Sequence, residues 1–139
     1  MTDEPGPEPL LLQLLRAVQI IEERMTPLFG ELGVSAEQWR VLAVLAHGEG
    51  HTMTDLARLS VLPPATTTRT IDKLIASALV YRRVDPLDRR RVMVFLSPHG
   101  ARALAAVSDR QEGIERELAA IVGVRRFLAL NDGLTHLTQ

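Results

Sequence analysis

From about Pro9 to Phe29 apolar residues recur at helical spacing: Leu11, Leu14, Leu15, Val18, Ile21, Met25, Leu28 and Phe29. Leu10, Leu12 and Ile20 widen that stripe beyond what one small domain can cover, so the helix is expected to meet a second chain. "SAEQ" at Ser35–Gln38 is a capping-box pattern opening a helix through Trp39, Leu42 and Leu45 to about His47. After "GEG", Thr54-Asp55 starts a short helix through Leu56, Ala57 and Leu59. Pro64 suits the first turn of a further helix reaching about Ser77, with Ile71, Leu74, Ile75 and Ala78 on one face. The period then changes to that of strands. Leu79–Val84 and Val92–Leu96 are β-branched and aromatic runs around an Asp/Pro/Arg turn, which predicts a hairpin. Ser97-Pro98 opens a long helix to about Leu118 or Val122, and Gly123 separates it from a last helix carrying Phe127, Leu128, Leu130, Leu134 and Leu137.

Four helices, a hairpin and two helices make a mainly α fold with a small β-hairpin wing, a winged helix-turn-helix at its centre. The expected organisation is a disordered tail over 1–8, an N-terminal dimerisation helix over 9–33, a DNA-binding domain over 34–97 and C-terminal dimerisation helices over 98–139. The chain has 139 residues, enough for one domain with extensions. It is 46% hydrophobic but only 4% aromatic, which favours a core of Leu, Val, Ala and Ile. With no cysteine, disulfides, thiolate metal sites and thiol redox sensing are excluded. The start, "MTDEPGPEP", lacks the basic region of a signal peptide, and Gln13 and Arg16 break the leucine run, so a cytoplasmic location is expected.

The net charge of −1 conceals an uneven distribution. Met1–Gly33 holds six acids against two arginines, a local balance of −4. Pro64–Arg91 holds seven bases against three aspartates, a local balance of +4. A local positive field in a near-neutral protein is the footprint of an anionic partner, although charge alone also describes a solvated face. In "PATTTRTIDKLIAS", Thr67, Ile71, Leu74 and Ala78 face one way while Thr66, Arg69 and Lys73 face nearly the opposite way. Arginine can address guanine bidentately, threonine can reach a phosphate or a thymine methyl, and Ala65 permits close approach. A solvated helix can carry the same residues. In "VDPLDRRRVMVFL" Arg89, Arg90 and Arg91 share one projecting tip, where minor-groove potential would attract them. Asp88 stands where it can orient Arg90 by a charge-assisted hydrogen bond. Three adjacent arginines repel one another, and solubility alone needs no such concentration.

"DPLDRRRVMVFLSPHGARAL" resembles the wing and following helix start of the MarR (multiple antibiotic resistance regulator) family, an Asp-x-Arg tip, an apolar strand, Ser/Thr, and Gly three residues on. "MTDLARLSVLPPATTTRTIDKLIASALVYR" resembles its helix-turn-helix and "GVSAEQWRVLAVL" the preceding helix. The resemblance covers Pro9 to the C-terminus. It implies a homodimer joined through the first and last two helices, bound to double-stranded DNA at a pseudo-palindromic operator, usually as a repressor. Ala65, Thr66, Thr68, Arg69 and Lys73 match positions facing the major groove. Asp88 matches the wing aspartate and Arg90 the arginine that enters the minor groove, with Arg89 and Arg91 nearby. Two departures stand out: Pro63 where a Ser or Asp cap is usual, and Thr67 where an aliphatic core residue is usual.

The family also often binds a small effector, commonly a phenolic or other aromatic anion; Trp39, Arg16 and His51 could line such a site or be core and surface residues. No cofactor and no enzymatic activity are expected. His47 and His51 in "HGEGH" superficially resemble a metal-binding helix motif, but Gly48 and Gly50 between them oppose the helix it needs. Ser60 and Ser97 have no evident base, and there is no glycine-rich phosphate loop. A dimerisation or protein-docking module is the competing reading; it accounts for the leucine-rich ends but not for the arginine tip.

Overall fold

The computed structural model describes residues 6–139. Its elements run α1 (Leu10–Leu32), α2 (Ala36–Leu45), β1 (His51–Thr52), α3 (Met53–Leu59), α4 (Pro64–Ala76), β2 (Val80–Val84), β3 (Val92–Leu96), α5 (Pro98–Val122) and α6 (Val124–Thr138). The fold is mainly helical with a small antiparallel sheet, ordered β1-β3-β2. β2 and β3 pair from Val80 opposite Leu96 to Val84 opposite Val92, and β1 adds His51 opposite Val94.

One core fills the winged helix-turn-helix. Leu42 and Leu45 of α2, Leu56 of α3, Ile71 and Leu74 of α4, Val80 of β2 and Val94 of β3 are all buried in it. A second core joins α1 to α5 through Met25, Leu28, Phe29 and Val107, with Trp39 of α2 packed against it. The Phe29 and Trp39 rings lie 5.7 Å apart, which makes α2 the seam between the two. Elsewhere the apolar stripe of α1 meets no partner: Leu11, Leu15, Val18 and Ile20 are exposed, as are Val124, Leu128 and Leu137 of α6. α6 buries no residue at all.

Local chemistry sets the helix ends. The Ser35 hydroxyl accepts from the Gln38 N–H at 3.1 Å and the Gln38 side chain accepts from the Ser35 N–H at 2.9 Å, a complete capping box. Ser35→Ala is expected to destabilise the fold by about 1 kcal/mol in urea denaturation. Gly123, at φ 99, breaks α5 from α6 in a backbone region that a side chain would strain. Val61 and Ala78 are non-glycine residues at positive φ, 56 and 59, in the α3–α4 turn and just past α4.

Three details differ from the sequence reading. β1 was not expected. α3 starts earlier than Thr54, because Thr52 caps it by accepting from the Asp55 N–H at 3.2 Å. Ala78 does not share the inner face of α4; the helix ends at Ala76, and Ala78 is exposed at the positive-φ turn from which the chain re-enters the core at Leu79. Of the expected tail over 1–8, residues 1–5 lie outside the described residues; at its end Glu8 pairs with Arg16, and the Gln13 side chain donates to the Glu8 carbonyl at 2.6 Å.

Candidate nucleic-acid interface

α4 is built with an inner and an outer face. Thr67, Thr70, Ile71 and Leu74 are buried, whereas Ala65, Thr68, Arg69 and Lys73 are exposed and Thr66 is half-buried. Thr67, in the place of an aliphatic residue, buries its methyl and donates its hydroxyl to the Pro63 carbonyl at 3.0 Å. Thr68 and Thr70 likewise donate to the Pro64 and Thr66 carbonyls at 3.2 and 2.7 Å. These i−4 bonds satisfy the hydroxyls locally, and burial of Ile71 and Leu74 in the core holds a threonine-rich segment as a helix against its propensity. Pro63 supplies no side-chain cap, and Pro64 at the first position has no N–H to satisfy. On the outer face the Arg69 guanidinium reaches the Thr66 hydroxyl at 3.4 Å.

The wing is a seven-residue loop, 85–91, fixed by its own hydrogen bonds. The Asp85 N–H donates to the Arg91 carbonyl at 2.8 Å, and the Arg91 N–H to the Asp88 carbonyl at 2.9 Å. The Asp85 carboxylate accepts from the Leu87 N–H at 2.9 Å. Asp88 accepts from the Arg90 N–H at 3.1 Å and lies 3.5 Å from the Arg90 Nε. The carboxylate thus touches both ends of Arg90, whose side chain is nevertheless 95% exposed. Arg89 and Arg91 are exposed and make no ion pair among the described residues. Tyr81 of β2 stacks on Phe95 of β3 at 5.4 Å, stiffening the stalk that carries the loop.

Two ion pairs that periodicity does not reveal join the parts. Arg82 of β2 meets Asp72 of α4 at 2.7 Å, linking the wing to the helix beside it. Arg40 of α2 meets Glu22 of α1 at 2.8 Å. Both depend on contacts between elements, which a linear pattern does not carry.

A cavity of about 400 Å³ lies among α1, α2, α5 and α6, with apolar walls including Met25, Trp39, Ile114 and Phe127 and with Arg40 and Asn131 also lining it. Of the three candidate liners Trp39 faces this space. Arg16 is instead paired with Glu8, and His51 lies in β1 beside a separate shallow groove that also touches Trp39. His47 follows α2 in a turn, so no helix carries both histidines. Among the described residues no group of three or more His, Asp or Glu is placed to hold a metal ion. No helix among them is long and apolar enough to cross a membrane.

A helix with an outward polar face, a preceding short helix packed against its buried side and an arginine-tipped hairpin tied to it make up a winged helix-turn-helix. Residues 32–91, the segment holding these parts, match the family model described as MarR family. Over that segment the chain is similar to the MarR family of transcriptional regulators. It is 22% identical over 126 residues to the HTH-type transcriptional regulator FarR of Neisseria gonorrhoeae, covering 91% of this chain and 86% of that protein. Among solved structures, NadR in complex with 4-hydroxyphenylacetate superposes with a TM-score of 0.86 at 21% identity, over 100% of this chain and 99% of that one. The MepR–DNA complex of S. aureus superposes with a TM-score of 0.77 at 19% identity, over 94% and 97%. These two likenesses concern the fold.

Proposed function

We propose that the chain is a homodimeric repressor that binds a pseudo-palindromic operator and is relieved by a small aromatic or anionic ligand. The ordered wing carries this reading: a carboxylate holds Arg90 at the tip of a stiff hairpin while leaving its guanidinium almost wholly in solvent. In the proposed complex Ala65, Thr66, Thr68, Arg69 and Lys73 of each α4 face a major groove. The two helices sit about one helical turn apart. Arg90 enters the flanking minor groove, Asp88 orients it, and Arg89 and Arg91 meet phosphates. Support for a DNA partner comes from MepR, a neighbour of the same fold that was solved as a DNA complex.

Residues 9–33 and 98–139 form the dimerisation region in this reading, and 34–97 the DNA-binding domain. The exposed apolar residues of α1 and α6 support it, since a second copy would remove both stripes from water. The cavity between these helices and α2 is where the effector would act, changing the separation of the two lobes through α5 and the terminal helices. Support comes from the 4-hydroxyphenylacetate in complex with NadR and from the largely apolar walls of the cavity, with Arg40 paired to Glu22 in its lining. Such a repressor works in the cytoplasm, where its operator is.

Selecting bound sequences from random DNA with purified protein tests the proposal. The expected result is a two-fold-symmetric site bound by two chains. The phosphate contacts of Arg89 and Arg91 on both protomers would give a slope of log affinity against log salt of about −4. Recovery of no common sequence, or binding nearly insensitive to salt, would point to the docking-module reading instead. A chain that sediments as a monomer at micromolar concentration would remove the dimer.

A further inference from the structure

The tip of the wing holds an apolar residue as well as arginines. Leu87 is 96% exposed, more than any other large hydrophobic residue in the described chain. Single exposed leucines are common on protein surfaces, but they usually rest part of their area on a neighbour. Leu87 rests on none, because its loop is tied on either side of it. Its own N–H is bonded to Asp85, Pro86 precedes it, and the Asp85–Arg91 and Asp88–Arg91 bonds close the loop behind it. The backbone therefore presents the side chain outward, two and three residues from the two arginines Arg89 and Arg90. Val84 and Val92, paired at the base of the loop, are also partly exposed.

Building on the proposed insertion of the wing, we infer that Leu87 is an apolar wedge that enters the minor groove beside Arg90 and partly unstacks one base step. Arginine supplies charge for the narrow groove, but charge alone distinguishes little among A·T-rich sequences. A leucine pressed into the stack is opposed by the stacking energy of the step it meets. That energy is smallest at pyrimidine–purine steps, TA and CA/TG, which open and kink most readily. Leu87 is thus a specificity-determining residue that reads deformability where Arg90 reads potential. Transferring its side chain from water into the stack supplies affinity that does not depend on salt.

The test uses the full-length protein on the operator it selects, with 2-aminopurine placed at the step under the wing. The parent protein is expected to raise 2-aminopurine fluorescence on binding and to select a pyrimidine–purine step there. Leu87→Ala is expected to abolish the rise, relax the preference and weaken binding by about tenfold across two wings, with salt slope and melting temperature unchanged. Parent-like affinity and fluorescence for Leu87→Ala would overturn the wedge; a loss for Arg90→Ala in the same assay would then leave the wing in the groove. If neither variant changed binding, the wing itself would be misplaced and the wedge would fall with it.

Discussion

Arg90→Ala is expected to weaken operator binding by about 100-fold per dimer while leaving the melting temperature and the dimer unchanged. Each wing would lose one charge-assisted contact, and a tenfold loss apiece corresponds to about 1.4 kcal/mol. The two sites lie far apart on the operator, so their losses should add. The fold should not notice the change, because in the free protein the guanidinium contacts only Asp88 and is almost fully hydrated. Arg90→Lys separates charge from shape. It keeps the positive charge but lacks the planar fork, so it should restore only part of the affinity. Fluorescence anisotropy at one fixed salt concentration measures all three proteins. An alanine variant that binds as tightly as the parent would remove Arg90 from the interface.

Gly100→Val, at the start of α5, is expected to be a strongly destabilising change. Ser97 caps α5 by accepting from the Gly100 N–H at 2.9 Å and donates its hydroxyl to the Ala78 carbonyl. The Ser97 N–H donates to the Leu79 carbonyl at 3.0 Å. The first turn of α5 is thereby drawn onto the chain leaving α4. A Cβ at Gly100 would lie 2.2 Å from the Leu79 carbonyl oxygen and 2.7 Å from Leu96 Cδ1. The nearer atom is backbone and cannot rotate away, so α5 must lift or the helix-to-wing connection must shift. A loss of about 3–5 kcal/mol is expected, lowering the melting temperature by roughly 10–15 °C. Gly133→Ala is the control: it too lies within a helix, but a Cβ there meets nothing within 4 Å, so stability should hold or rise by up to about 1 kcal/mol. A Gly100→Val protein melting like the parent would mean that α5 does not seat on Leu79 in this way.

The serine-to-glycine spacing that marks the end of the wing was legible in the sequence, and its physical reason was not. Spacing locates Gly100 three residues after Ser97, but only the packed structure shows the carbonyl that excludes a side chain. The same division runs through the fold. Helix starts at Ser35, Pro64 and Ser97, the break at Gly123 and the two faces of α4 rest on local chemistry, so they could be read directly. β1 could not, because two residues carry no period and their partners, Met93 and Val94, lie some forty positions away. Ala78 was misplaced by extending the helical period past Ala76, where the backbone has already turned to positive φ.

Within the candidate interface, the outward placement of Arg69 and Lys73 and the Asp88–Arg90 contact follow from spacing within one helix or one turn. Asp72–Arg82 and Glu22–Arg40 require knowledge of which elements touch. Leu87 lay inside a turn read for its Asp and Pro, and its exposure depends on how the loop closes beneath it. Trp39 was legible as a large apolar residue, but that it lines the cavity depends on α5 and α6 arriving from the far end of the chain.

α5 has a mechanical consequence. It is anchored beside the wing at Gly100, steadied against α1 near Val107, and runs unbroken to Val122. From Gly100 to Val122 it spans about 33 Å at 1.5 Å per residue. Turned about the Gly100 anchor, a rod of that length moves its far end by about 3 Å for each 5° of tilt. With the pivot at Gly100, a displacement of a few ångströms at the α6 end amounts to only a few degrees at the wing. In the proposed regulation the rod would therefore act as a reduction gear, delivering to the wing end a change of angle more than of position.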